Sequence, residues 1–173
     1  MGHRTLVAVE IASGRYALGR VQWGGELLDC DDRRLAARAT RLVAERDPPV
    51  TKCDARAVLD AVKPFSDELL VIVDSQGRPT RFLVCSLSVP IRRDPTGVGR
   101  GTSGQCVLVE VPDGDAARQV RIGRRTLDGG LGDAVDAGLL PTWLAAGYVG
   151  HWLASHPDTV GAPIWLATRV AAH

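Results

Sequence analysis

The apolar run ELLVIVD, residues 68–74, is the feature that most constrains the fold of this 173-residue chain. Pro64 precedes the run and the turn sequence SQGRP follows it, so the run has the length of one strand. A strand without alternating polar residues is typical of a position that is covered on both faces. The run therefore predicts a central strand of a sheet.

Segments in which apolar and polar residues alternate predict the other strands of this sheet. The Ser13-Gly14 turn joins the first two segments as a hairpin, and the Asp113-Gly114 turn is expected to join a later pair in the same way. The predicted strands cover residues 5–11, 15–23, 25–28, 68–74, 80–89, 105–111, 118–122 and 162–171.

Three segments have the spacing of helices. One begins at Asp31 or Asp32, one begins at Thr51 with Asp54 completing a capping box, and one runs from about Pro141 to His156. The last has apolar or small residues on nearly all sides, which predicts a buried helix. The order of elements indicates a single α+β domain over residues 1–173, with a mostly antiparallel sheet and helices packed on one face.

Composition limits the possible partners. The formal net charge is +1, which excludes a positive coat over the whole surface, so an anion-binding surface must be local. The four cysteines lack metal-ligand spacing, so we expect free thiols and no metal site, and the sequence identifies no cofactor. The N-terminal residues lack a secretory pattern and the helix at 141–156 is too short for a bilayer; we expect a cytoplasmic protein without a membrane partner.

The segment RRDPTGVGRGTSG, residues 92–104, has the ingredients of a phosphate cradle. Glycines let backbone N–H groups converge, arginines supply charge and hydroxyls supply donors. The candidate ligand-binding residues are Arg92, Arg93, Gly97, Gly99, Arg100, Gly101, Thr102 and Ser103. Neither the P-loop motif nor the dinucleotide fingerprint is present, and a mobile hairpin connection is the alternative interpretation.

Cysteine and histidine residues suggest a second kind of site. Cys53 is expected in the first turn of a helix beside Lys52, and both the helix dipole and the ammonium favour a thiolate there. Cys106 is expected where the glycine-rich segment meets a strand, with His151 as a general base. For both thiols and for the histidine, a position in the core is the alternative.

The helix at 141–156 also concentrates aromatic residues. Trp143, Tyr148 and Trp152 surround His151 at three- and four-residue spacing, so they line either an organic-ligand pocket or the core. On the first helix Arg34, Arg38 and Arg41 form a basic ridge. If the ridge shares one surface with residues 92–104, a nucleotide or nucleic acid becomes a candidate ligand.

The opening meander followed by a helix resembles, in topology alone, the start of ribonuclease-H-like folds. That resemblance implies a metal-binding carboxylate at Glu10, where such folds carry an aspartate, and Asp29 and Asp74 are the further carboxylates available.

Three functions follow from these patterns. The first is a regulatory module that recognises a phosphate-bearing ligand or a protein partner through the segment 92–104. The second is a thiol-dependent group-transfer or hydrolytic enzyme that uses Cys106 or Cys53 with His151. The third is a partner subunit of an oligomer, whose last helix offers small residues (Ala146, Gly150 and Ala154) to a close helix contact. The third function requires an uncovered apolar patch of more than a few hundred Å².

Overall fold

A computed structural model describes residues 4–22, 24–45, 52–63, 66–89 and 105–166. The strands are β1 (Arg4–Ala12), β2 (Arg15–Gln22), β3 (Lys52–Cys53), β4 (Asp67–Val73), β5 (Pro79–Ser86), β6 (Cys106–Val111) and β7 (Val160–Leu166). The helices are a short 3₁₀ helix (Gly24–Leu27), α1 (Asp32–Ala44), α2 (Ala55–Asp60), α3 (Gly114–Asp136) and α4 (Thr142–Ser155). The strands form one sheet in the order β3-β2-β1-β4-β5-β6-β7, which confirms the α+β prediction.

The parallel pair β1 and β4 forms the middle of the sheet, and every other neighbouring pair is antiparallel. Val7 lies beside Val71 and Val9 beside Val73, and all four side chains are buried. The prediction that residues 68–74 form a central strand is confirmed. Because neighbouring parallel strands need a crossover, the chain passes through α1, β3 and α2 before it returns as β4.

The two faces of the sheet are covered unequally. On one face, which we call the helical face, buried residues of α1, α3 and α4 pack against Val7, Val71 and Val109. On the opposite face, which we call the α2 face, Val58 packs against Leu6. The strand residues of this face alternate along the chain with those of the helical face. The three longer helices therefore lie on one face as predicted, and the short α2 is the exception.

A buried ion pair holds the end of α2 beside the sheet. The guanidinium of Arg20 donates to both oxygens of Asp67, at 2.9 and 2.8 Å, and also to the backbone oxygen of Ala61. The backbone N–H of Lys63 donates to the same carboxylate at 2.8 Å. The Asp67 side chain is fully buried, so the three hydrogen bonds that it accepts from Arg20 and Lys63 replace the water that it loses.

A buried guanidinium, that of Arg81, connects three chain segments on the helical face. Arg81, only 3% exposed, donates to the side chain of Asp32 and to the backbone oxygens of Pro112 and Cys30 at 2.8–3.1 Å. Asp32 is the first residue of α1, and Pro112 lies just before α3. The Arg81 side chain therefore fixes where both helices start on the sheet.

The sequence-based hairpin at residues 105–122 is wrong, because 118–122 belong to α3. Asp113 serves as the N-cap, and its carboxylate accepts a hydrogen bond from the backbone N–H of Ala116 at 2.8 Å. The helix continues through the glycine-rich residues 127–133 and ends at Asp136, two residues before the left-handed Gly138. Burial of Ala117 and Val120 against the sheet outweighs the alternating pattern of 118–122.

Two smaller predictions also need correction. Residues 25–28 were expected as a strand, but Gly24–Leu27 is a 3₁₀ helix. Leu27 and Leu28 both enter the core on the helical face, which successive residues of a strand do not do. The second helix begins at Ala55 with Asp54 as its N-cap, and Thr51 lies outside the described residues. The first hairpin and the N-cap at Asp31 are confirmed. The last strand is confirmed up to Leu166, and residues 167–171 of the predicted strand lie outside the described residues.

We predict that Gly114→Ala destabilises the fold by about 1–3 kcal/mol, the range of an overpacked core position. A methyl group at Gly114 would overlap the carbonyl of Leu28, whose carbon would lie 2.9 Å from it. Gly129→Ala in the same helix is the matched control, because a methyl group there meets nothing within 4 Å. The control is expected to stabilise the protein by about 0.5–1 kcal/mol. Urea unfolding measures both values; equal effects would contradict the close contact.

Candidate functional site

Large hydrophobic side chains are exposed mainly at one end of the molecule. Within the described part of the chain, they are Ile11, Ile122, Leu139, Trp143, Leu144, Tyr148, Val160, Ile164 and Trp165. All but the first two belong to the α3–α4 turn, to α4 or to β7. Trp143 is 72% exposed, Tyr148 54% and Trp165 59%. We call the surface made by Trp143, Leu144, Tyr148 and Trp165 the α4–β7 surface.

Helix α4 divides into a buried arc and an exposed arc. Five small or aliphatic residues face the sheet: Ala145, Ala146, Val149, Gly150 and Leu153. At 100° per residue, the exposed positions fall within about 140° of the helix circumference. They are Trp143, Leu144, Gly147, Tyr148, His151, Ala154 and Ser155. The prediction of a helix that is buried on all sides is therefore wrong for this arc.

Trp165 of β7 extends the exposed arc of α4. A methyl group built on Gly150 would meet the Trp165 ring at 3.0 Å, so the indole lies directly over this glycine. On the helix, Gly150 is next to the edge of the exposed arc that contains Trp143 and Ala154. The ring of Trp165 therefore borders the exposed arc of α4.

The outer edge of β7 is poorly suited to adding another strand. β7 is the last strand of the sheet and pairs only with β6 among the described residues. Gly161 has a left-handed φ of 67°, the β6–β7 register shifts between Leu108 and Glu110, and Pro163 lacks a backbone N–H. Bulges and prolines are typical devices that prevent pairing at a sheet edge. The binding capacity of this region lies in its side chains.

The surface is uncharged and of substantial area. Residues 137–157 contain no Asp, Glu, Lys or Arg, although such residues make up 24% of the chain. An aromatic side chain offers roughly 150–250 Å² of area, so the exposed fractions of Trp143, Tyr148 and Trp165 leave about 300–450 Å² uncovered. That is comparable with the largest apolar patch of a typical monomer. Leu139, 80% exposed, and Leu144 enlarge it further.

The structure separates the aromatic residues that the sequence grouped together. Trp143 and Tyr148 lie on the exposed arc, as does His151. Trp152 is half-buried; its ring approaches Gly123 of α3 and contacts His156 edge-on at a centroid distance of 4.6 Å. The sequence prediction missed Trp165 because it lies on another element. The available signal was the long stretch without charge beside a strand at the sheet edge.

The structure does not bring Cys106 and His151 together. Cys106 alternates with Val107, so its side chain lies on the α2 face of the sheet, and it is 1% exposed. His151 is exposed on α4, which packs on the helical face. Burial raises the pKa of the Cys106 thiol to about 12. The thiolate that nucleophilic catalysis requires is therefore strongly disfavoured at neutral pH.

Cys53 and Cys85 also have raised pKa values. Cys53 lies on β3 before the N-cap of α2, so the predicted position in a helical first turn is wrong. Burial is the main cause of its raised pKa, the charge of Asp54 adds to it, and Arg15 opposes it. Burial raises the pKa of Cys85 to about 11 despite the nearby Arg124 and Arg121.

Carboxylates pair with each arginine of the predicted basic ridge. Arg34 lies 3.5 Å from Asp31, Arg38 lies 2.8 Å from Glu26, and Arg41 lies 2.6 Å from Glu45. These pairs reduce the positive potential that a phosphate ligand would meet on α1. The segment 92–104, with Arg92, Arg93, Gly97, Gly99, Arg100, Gly101, Thr102 and Ser103, lies outside the described residues. Its role in anion binding stays a prediction.

The carboxylates that the ribonuclease-H-like resemblance singled out hold local structure. Glu10 accepts hydrogen bonds from the backbone N–H groups of Gly14 and Ser75 at 2.8 and 2.9 Å. Asp74 closes its own turn by accepting from Arg78, and Asp29 pairs with Arg118. Across the described residues, no group of three or more His, Cys, Asp or Glu side chains is placed to hold a metal ion. No helix in the same residues is long and apolar enough to cross a membrane.

We predict that Cys85 and Cys106 react very slowly with iodoacetamide at pH 8 in the folded protein. With pKa values raised to about 11 and 12, their thiolate fractions at pH 8 are on the order of one in a thousand or less. Alkylation followed by peptide mass spectrometry measures each site. The unfolded protein in guanidinium is the control, in which both thiols should react readily. Fast native labelling of Cys106 would support the thiol-enzyme hypothesis instead.

The candidate sites therefore differ in whether the structure leaves their side chains reactive or open to a ligand. Burial disfavours the thiolates of Cys53 and Cys106, and Cys106 is apart from His151, whereas the α4–β7 surface is open to solvent. No protein-family model, no curated protein and no solved structure matches this chain.

Proposed function

We propose that this protein is an association module, a subunit that binds a protein partner through the α4–β7 surface. One observation carries the proposal: a helix without any charged residue turns Trp143, Leu144 and Tyr148 to solvent beside the ring of Trp165. Leaving this much apolar surface in water costs free energy, at roughly 25 cal/mol per Å². Binding of a protein over these residues would recover it.

The composition of the surface supports a protein partner. The buried centres of protein interfaces are enriched in tryptophan and tyrosine and depleted of charged residues. These two aromatic residue types also contribute most often the large binding energies. The α4–β7 surface has three such rings, and the nearest charged residues in sequence around α4 are Asp136 and Asp158. A partner with an uncharged apolar surface would bury no unpaired charge here.

A lipid surface is a less suitable partner for the same residues. Helices that lie in a membrane interface typically combine an apolar face with lysine and arginine, which interact with anionic headgroups. Helix α4 has neither residue, and its polar positions are limited to Thr142, His151 and Ser155. The electrostatic part of membrane attraction is therefore missing.

The proposal is tested by photo-crosslinking inside the host cell. A benzophenone amino acid replaces Tyr148, which is exposed on α4, and in the control it replaces Arg56, exposed on α2. We expect the label at position 148 to crosslink to one identified protein, and a second copy of this chain counts as such a partner. Because Trp143 lies on the same arc, Trp143→Ala should reduce the yield at least about tenfold, as expected for loss of an aromatic anchor.

Two results would overturn the proposal. One is a label at position 148 that crosslinks only to lipid or to no molecule. The other is the same set of crosslinked proteins from positions 148 and 56, because Arg56 lies on the opposite side of the sheet. Circular dichroism of each purified variant shows that the label has not unfolded the chain.

A further inference from the structure

Resting on the proposed function, we infer that the partner is a second copy of this chain, and that two α4 helices pack antiparallel across a twofold axis. The axis passes at the level of Val149, the middle of Thr142–Ser155. Three features of the α4–β7 surface favour this arrangement: the distribution of large and small residues along the exposed arc of α4, the absence of charge and the available area.

Large and small residues are segregated along the exposed arc of α4. Its N-terminal half carries Trp143 and Leu144, and its C-terminal half carries Ala154 and Ser155. In a twofold interface, residue i of one subunit contacts residue j of the other, and j contacts i. A surface binds a copy of itself well only if its protrusions face its own recesses. The segregation on α4 meets that condition for antiparallel helices.

The antiparallel register can be specified at the level of residues. With the axis at Val149, Trp143 faces Ala154 of the partner subunit, Leu144 faces Ser155 of the partner subunit, and Gly147 faces His151 of the partner subunit. Gly147 is exposed, and a methyl group there meets nothing within 4 Å, so the partner helix can approach closely. A parallel arrangement would set Trp143 against its own copy and leave the small residues facing a gap.

Trp165 lies at one edge of this contact. A twofold axis in the interface plane maps each edge of the arc onto itself, so the two Trp165 rings meet beside the axis. Pro163 and the left-handed Gly161 make pairing of two β7 edges unfavourable. The association therefore uses helix and indole side chains and does not extend the sheet.

Charge and area agree with this arrangement. Because residues 137–157 carry no charged side chain, two copies can bury this face without desolvating an ion. The three aromatic residues supply about 300–450 Å² of the roughly 800 Å² per subunit that a standard interface buries. Leu139, Leu144 and the small residues of the arc add to that area. An interface at the low end of the standard range is the expectation.

Sedimentation equilibrium of the purified full chain, from about 1 to 100 µM, tests the inference. We expect a reversible dimer. Leu144→Glu and Ser155→Lys should each weaken it at least about 30-fold, because each places a charge against an apolar surface of the partner subunit. Ala37→Glu and Ala37→Lys are matched controls at an exposed alanine of α1, and they should leave the dimer unchanged.

An equal mixture of the L144E and S155K chains tests the register. In the antiparallel dimer, Glu at position 144 of one chain faces Lys at position 155 of the other, and the second 144–155 contact keeps its natural residues. The dimer in the mixture should form with an affinity at least about tenfold higher than that of either variant alone, because the two charges pair across the interface. Thermal unfolding shows that each variant is folded.

Each other outcome contradicts a defined part of the inference. A wild-type monomer at all concentrations overturns the homodimer, and if position 148 still crosslinks to a different protein, the proposed function survives this failure. A dimer that resists both single substitutions overturns α4 as the interface. A dimer that both substitutions weaken, with no recovery in the mixture, overturns the antiparallel register.

Discussion

The buried guanidinium of Arg81 is the interaction on which the arrangement of the helices depends. A charge at 3% exposure is tolerated only where hydrogen bonds replace water, and Arg81 finds them on Asp32, Pro112 and Cys30. These partners come from the segments that start α1 and α3. Removing the guanidinium would leave both helix starts without their common anchor on β5.

The position of α4 follows from that of α3. With α1 and α3 fixed on the helical face, α4 packs through Ala145, Val149 and Leu153 over the part of the sheet near β6 and β7. No further helix among the described residues covers its other side. A helix that is apolar around its whole circumference is then half-covered, and its outer arc joins the exposed ring of Trp165. The proposed association follows from this incomplete coverage.

Sequence patterns predicted some parts of the fold well, and the reasons are local. The hairpin at Ser13-Gly14 and the central strand at 68–74 were predictable because alternation and continuous apolarity report directly on burial. The segment 118–122 was not, because Asp113 followed by Gly114 suits both a turn and a helix N-terminus. Contacts of Ala117 and Val120 with the sheet decide between the two, and those contacts are distant in sequence.

The sequence by itself determined that residues 142–155 form an uncharged, aromatic-rich helix, because residue type and helical spacing are local properties. It identified Trp143 and Tyr148 as candidate binding residues on the same basis. Only the tertiary structure decided which arc of α4 is exposed, that Trp165 lies over Gly150, and that Cys106 and His151 lie on opposite sides of the sheet. The physical reason is that a helix apolar on every side has no preferred face of its own, so the elements packed against it determine which side meets water.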